Sequence, residues 1–324
     1  MNINSLSNKN VLIIGASGQL GSELSNKLNN KTKQLTLLRQ KHWVQNKSFF
    51  GYQATLLERD IYSLSQAEIK DLLFEQDIIF FLATVNKVSI PKTQRHSFLI
   101  KQLSTLNNVL QTACGTNKKI IFTSSCTLYG DSKESLISDS SREYPMNLYD
   151  LVKLSSDNLI SYYKRVFDLN CVSVRLANIY GVDSHLTRIK NRRVINFFLE
   201  QMFLEKTINV IGDGKFYRNY ISTSDAVDTL IYLSMAPSMS KDKLICASKE
   251  NIYFIDAIKL LGNQFSKLTN KKVSIKLGRK EVFGGESRSF KLIPSGELDH
   301  LVSKFILLED GFSALVSDYI KTLD

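Results

Sequence analysis

Three glycines spaced three residues apart follow an unbroken apolar run near the N-terminus, in Val11-Leu12-Ile13-Ile14-Gly15-Ala16-Ser17-Gly18-Gln19-Leu20-Gly21. No other stretch narrows the choice of fold as much. An apolar run bounded by glycine reads as a buried strand, and Leu20, Leu24 and Leu28 recur behind it at helical spacing. Strand, glycine turn and helix in that order open a βαβ unit. The chain must turn sharply at Gly15, let a ligand approach the backbone at Gly18, and pack helix on strand at Gly21. The start of the helix then offers N–H groups and a positive dipole end, which suits a pyrophosphate.

The alternation continues downstream. Residues 35–38, 77–83, 119–123 and 171–175 read as strands, and residues 20–28, 99–114 and 149–167 as helices. Such a pattern predicts an α/β fold, a Rossmann-type doubly wound parallel sheet. Past residue 180 the texture changes. Ile208-Asn209-Val210-Ile211-Gly212-Asp213-Gly214 reads as a short strand and turn, and residues 220–233 as a strand end, a Ser/Thr/Asp cap and a helix. We expect a dinucleotide-binding domain over 1–178 with about 215–235, and a smaller mixed α/β substrate lobe over 179–214 and 236–324.

Composition excludes several classes. No run among the 324 residues approaches a membrane span, and the first ten residues lack the apolar core of a signal peptide. Cys114, Cys126, Cys171 and Cys246 are scattered, as are the four histidines, so neither a disulfide framework nor a metal site is expected. Reduced thiols place the chain in the cytoplasm. The net charge of +11 admits nucleic-acid binding, but the densest cluster is only Arg188, Lys190, Arg192 and Arg193, and the charge also suits anionic phosphosugars. Membrane partners are not expected, and nucleic acid is the lesser reading.

Specific residues carry the chemistry. The second strand ends Leu37-Leu38-Arg39, where an acidic residue would accept hydrogen bonds from the adenosine ribose. Arg39 cannot accept, but a guanidinium can grip a 2′-phosphate, which favours NADP over NAD. Tyr149 and Lys153 are four apart on one helix, so their side chains share a face. A phenol is a poor base at neutral pH, and an adjacent ammonium favours its phenolate. A strand ending Thr123-Ser124-Ser125 lies upstream.

Glycine loop, serine and Tyr-x-x-x-Lys in this order resemble the extended short-chain dehydrogenase/reductase family, whose members act mostly on nucleotide-activated sugars. The resemblance runs over nearly the whole chain. It implies Ser125, Tyr149 and Lys153 as the catalytic set, with Ser125 placed by counting back from Tyr129-Gly130. It implies cofactor contacts from Gly15, Ser17, Gly18, Gln19, Leu20, Gly21, Arg39, Asp60, Ala83 and Lys153, with Asp60 beside the adenine and Lys153 on the nicotinamide ribose. Arg175-Leu176-Ala177-Asn178-Ile179-Tyr180-Gly181 resembles the family's Arg-x-x-Asn-x-Tyr-Gly segment, with Val182 in place of the usual proline. Gly212-Asp213-Gly214, then Arg218-Asn219-Tyr220 and Asp225, resembles its Gly-Asp-Gly…Arg-Asp-Phe…Asp block. Asn178, Arg218 and Arg288 are thereby implied as substrate contacts, the arginines on the diphosphate. The family also implies a homodimer through helices 99–114 and 149–167.

Departures narrow the reaction. The family's 4,6-dehydratases carry Asp-Glu directly after the catalytic hydroxyl residue, where this chain has Cys126 and Thr127. Its 3,5-epimerising GDP-fucose synthases carry a cysteine at the position of Thr127 and a histidine at that of Arg193. Two reactions remain. A 4-ketoreductase, with Tyr149 as general acid, is favoured through Arg39, and an NAD-dependent 4-epimerase is the alternative. A non-catalytic NADP sensor and a nucleic-acid-binding relative are the readings of other classes; intact Ser125, Tyr149 and Lys153 count against the sensor.

Overall fold

The computed structural model describes residues 3–40, 52–84, 92–182, 193–205, 207–278 and 289–322. The chain forms two compact units. The first comprises Met1–Leu128, Pro145–Leu176 and Ala226–Leu244, the second Tyr129–Tyr144, Ala177–Asp225 and Ile245–Asp324.

The first unit is built on strands β1 (Asn10–Ile14), β2 (Gln34–Arg39), β3 (Thr55–Glu58), β4 (Ile78–Phe81), β5 (Lys119–Ser125) and β7 (Cys171–Leu176), with β11 (Lys243–Cys246). Their order is β11-β7-β5-β4-β1-β2-β3. The pairings from β3 through β2, β1, β4 and β5 to β7 are all parallel. Parallel neighbours need crossovers. Helices α1 (Gln19–Leu28), α2 (Gln66–Leu73), α3 (Arg95–Ala113) and α4 (Leu148–Phe167) lie in those after β1, β3, β4 and β5. Strands covered on both faces need continuous apolar sequence. Val11, Leu12, Ile13 and Ile14 are accordingly all fully buried. The winding reverses between β1 and β4, the position where open α/β sheets bind ligands. α3 begins four residues before the expected start at residue 99, because its first turn, Arg95-His96-Ser97, is polar and invisible to apolar periodicity.

The second unit holds three small sheets. β8 (Asn178–Tyr180), β10 (Tyr217–Ser222) and β12 (Asn251–Tyr253) form one, β9 (Thr207–Val210) pairs with β13 (Ser274–Leu277), and β6 (Leu136–Ile137) with β14 (Lys291–Leu292). Leu199 of α5 (Val194–Leu204), Phe265 of α7 (Phe254–Thr269) and Phe312 of α9 (Leu308–Lys321) share one core with Tyr180 and Tyr220. Of two further helices, α6 (Thr223–Met235) belongs to the first unit from Ala226 on, and the short α8 (Asp299–Val302) to the second. Among the described residues no helix is long and apolar enough to cross a membrane.

Candidate active site

The loop after β1 is shaped by its glycines. Gly15 has φ +94°, and a Cβ there would lie 2.8 Å from the Ala83 backbone nitrogen. The Gly15 and Ala16 N–H groups both donate to the Leu38 carbonyl, at 3.0 and 3.1 Å. At Gly21 a Cβ would come within 2.7 Å of Ala16 Cα, so α1 packs directly on the loop. Gly18 differs. It is exposed, its φ is −74°, and the nearest atom to an added Cβ is 3.5 Å away. Packing within the protein therefore requires glycine at 15 and 21, and not at 18. Gly18 caps α1 without a side-chain hydrogen bond, leaving bare backbone at a helix N-terminus. That is what a closely approaching pyrophosphate needs, so these residues fit a dinucleotide. Ser17, Gln19 and Leu20 are buried around the same turn, and the Ala83 carbonyl accepts from Tyr62 Oη at 3.0 Å.

Arg39 ends β2 and is paired in register with Glu58, the last residue of β3. Its guanidinium is buried against that carboxylate, with Nε 3.1 Å from Glu58 Oε1 and Nη2 on the same oxygen. The cation read as a phosphate grip already has an anion on it. Asp60 is an N-cap, its Oδ1 accepting the Tyr62 N–H at 3.1 Å.

The second cluster lies where β5 ends and α4 begins. Asn147 caps α4 by accepting the Asp150 N–H at 3.0 Å, which sets Tyr149 in the first turn and Lys153 one turn on. Lys153 is 3 % exposed, and its Nζ donates to the Thr123 carbonyl at 2.6 Å. The ammonium stands 5.7 Å from the Tyr149 ring centroid and 4.7 Å from that of Phe122. Burial pushes the Lys153 pKa down to about 8, against a smaller upward pull from the Asp157 carboxylate. Ser125 Oγ lies 3.0 Å from Thr127 Oγ1, which donates to Asp150 Oδ1 at 2.7 Å. Asp150 is wholly buried and also accepts from Asn147 Nδ2 at 2.8 Å and the Met146 N–H at 3.3 Å. Thr127 and Asp150 were not singled out as partners of the site in the sequence. Asn147, three residues before Asp150, is the capping signature that could have exposed the link.

The substrate residues implied by resemblance fall in the second unit. Asn178, on β8, donates to the Asn219 carbonyl at 3.0 Å. Arg218, on the neighbouring β10, donates to the Tyr217 carbonyl at 2.8 Å and lies 4.3 Å from the Phe216 ring centroid. Arg288, like Arg188, Lys190 and Arg192, lies outside the described residues. Asn219, in place of the family's aspartate, has a structural reason. Its buried amide donates to the Ser248 and Glu250 carbonyls at 2.9 and 3.1 Å and accepts the Ser248 N–H at 3.0 Å. A carboxylate cannot donate.

Comparison with known proteins agrees with the fold. Residues 11–245 match the sequence model of the NAD dependent epimerase/dehydratase family. An uncharacterized UDP-glucose epimerase of Bacillus subtilis (strain 168), YtcB, is 23% identical over 269 residues, 78% of this chain and 80% of that protein. Among solved structures, a UDP-N-acetylglucosamine 4-epimerase from Methanobrevibacter ruminantium M1 in complex with UDP-N-acetylmuramic acid superposes with TM-score 0.81 at 17% identity, covering 98% of this chain and 99% of that one. A UDP-glucuronic acid 4-epimerase from Bacillus cereus, in complex with UDP-glucuronic acid and NAD, gives 0.76 at 20% identity, over 97% and 100%.

Proposed function

The chain belongs to the NAD dependent epimerase/dehydratase family, and from that premise we propose that it oxidises and reduces C4 of a nucleotide-activated sugar, with Tyr149 as the acid/base. One observation carries this reading: the buried Lys153 ammonium, anchored on the Thr123 carbonyl and 5.7 Å from the Tyr149 ring centroid. A cation held there stabilises the phenolate, so Tyr149 can take a proton from a sugar hydroxyl and give it back to a keto oxygen. Ser125 holds the same oxygen in place. A dinucleotide held by its pyrophosphate at the Gly15, Gly18 and Gly21 loop would supply a nicotinamide able to take a hydride from the sugar carbon and give it back. Asn178 and Arg218 are proposed to hold the sugar nucleotide, Arg218 at its diphosphate. The four free cysteines fit a cytoplasmic enzyme.

A 4-ketoreductase and a 4-epimerase would use the same side chains. The support for an NADPH-driven ketoreductase came from Arg39, and that guanidinium is engaged by Glu58. The 4-epimerase is therefore the course we propose, and the similar 4-epimerases named above agree with it. To test this, purified protein without added dinucleotide is incubated with a panel of UDP- and dTDP-hexoses bearing a free C4 hydroxyl, and the C4 epimer is sought by chromatography. Formation of an epimer that disappears in Tyr149→Phe is the expected outcome. Turnover only of 4-keto sugars, and only with NADPH supplied, would return the reductase.

The reading includes a homodimer. Ile100 on α3 and Leu151, Tyr162, Val166 and Phe167 on α4 are large apolar side chains left exposed in one chain. Light scattering at micromolar concentration should give twice the mass of the chain; a monomer removes this part of the proposal.

A further inference from the structure

The β2–β3 edge holds an acidic group where the Rossmann pattern lacks one. In that pattern the residue closing the second strand is an acid that accepts the adenosine ribose hydroxyls, or else an arginine nearby takes a 2′-phosphate. Here Arg39 closes β2, and its side chain is turned onto Glu58 of the adjacent strand. Both described Arg39 contacts fall on Oε1. Glu58 Oε2 takes no hydrogen bond among the described residues, and the side chain is 37% exposed. The pair sits beside the cradle, because Leu38, the residue before Arg39, is the acceptor for the Gly15 and Ala16 N–H groups.

We propose that Glu58, held in place by Arg39, is the ribose acceptor of this site, so that the chain selects NAD over NADP. The inference rests on the reading of the glycine loop as a dinucleotide cradle. The register between two strands moves the acidic group one strand outward from its usual position. Arg39 orients the carboxylate through Oε1 and leaves Oε2 to accept from the hydroxyls of a vicinal diol. A 2′-phosphate would bring its charge against that carboxylate, on which Arg39 Nε and Nη2 are already engaged. Such a phosphate is repelled where a hydroxyl is bound.

The test is a binding titration, which needs no substrate. Wild-type protein, after exchange of any retained dinucleotide, is titrated with NADH and NADPH, and Kd is read from nicotinamide fluorescence. NADH should bind more tightly by about tenfold to a hundredfold, the range for a hydrogen bond to a charged group. Glu58→Gln should weaken NADH about tenfold and close most of the gap to NADPH. Arg39→Gln, which removes the cation and leaves the acid, should keep the NADH preference. Melting curves confirm that each variant is folded, and the wild-type ratio stands whatever the variants do. Tighter NADPH binding to wild type, or a ratio unmoved in Glu58→Gln, overturns the assignment while leaving the cradle intact. Binding of neither dinucleotide overturns the cradle reading and this inference with it.

Discussion

The two corners of the first unit's sheet differ in how their charged residues find partners. At the β5–α4 corner, the pairing of Tyr149 with Lys153 is local, one helical turn on a helix that Asn147 starts, and the Thr123 carbonyl of β5 then anchors the ammonium. At the β2–β3 edge, Arg39 takes its meaning from Glu58, nineteen positions on in the sequence and brought alongside only by strand register. A motif whose parts lie within one turn keeps the chemistry its spacing announces. A single charge at a strand end does not, because the adjacent strand can neutralise it.

The largest effect belongs to the phenol. Tyr149→Phe should lower turnover by roughly 10²–10⁴-fold, the usual range for a general acid/base, while NADH binds within about twofold of wild type. Survival of turnover would unseat Tyr149. The second unit supplies a control away from both corners. Asn219→Asp places a carboxylate against two backbone carbonyls in a buried site and should destabilise by about 2–3 kcal/mol, seen as a shifted denaturation midpoint. An unchanged midpoint would mean that the amide's donors matter little.

A pH profile sharpens the account of Lys153. With its pKa lowered to about 8, the group carries its charge below that pH and loses it above. The cation that supports the phenolate is present at neutral pH, so kcat/KM should fall as pH rises through about 8. A profile flat to pH 10 would show that the ammonium does not matter. The smallest effect concerns the chain behind Ser125. A carboxylate only accepts, so the Thr127 proton goes to Asp150, and Thr127 Oγ1 accepts the Ser125 proton until a sugar oxygen takes it. Asp150→Asn can reverse that order and should cost about tenfold in kcat with KM little changed, as should Thr127→Val. If the two act through one path, the double variant loses much less than the product of the single losses. Simple multiplication of the losses would separate them.

Much of the fold was legible because it is written at short range. The apolar runs ending at Ile14, Phe81 and Ser125 and the three glycines need only local spacing to be read. The polar first turn of α3 escaped because periodicity follows apolar residues alone. β3, with Thr55, Leu56 and Glu58 exposed and Leu57 partly so, left no clear run, and with it went the partner of Arg39. Thr127 was read only as the absence of a dehydratase acid, since nothing in the sequence says that its hydroxyl meets a buried carboxylate. In the second unit, short strands and lengthened loops gave few periodic signals, and its residues were reached by resemblance.

Hydride should leave C4 and return to it within one site, on a bound nicotinamide, while Tyr149, with Ser125 and Lys153 beside it, takes and returns the proton of the C4 oxygen. A nucleotide hexose that the protein converts, deuterated at C4, tests this most directly. The account expects the C4 epimer to keep the deuterium at C4, carried within the site from one face of the sugar to the other. Epimer that has exchanged its C4 label with solvent would contradict it, because the carbon would then have been inverted by proton removal and not by hydride transfer.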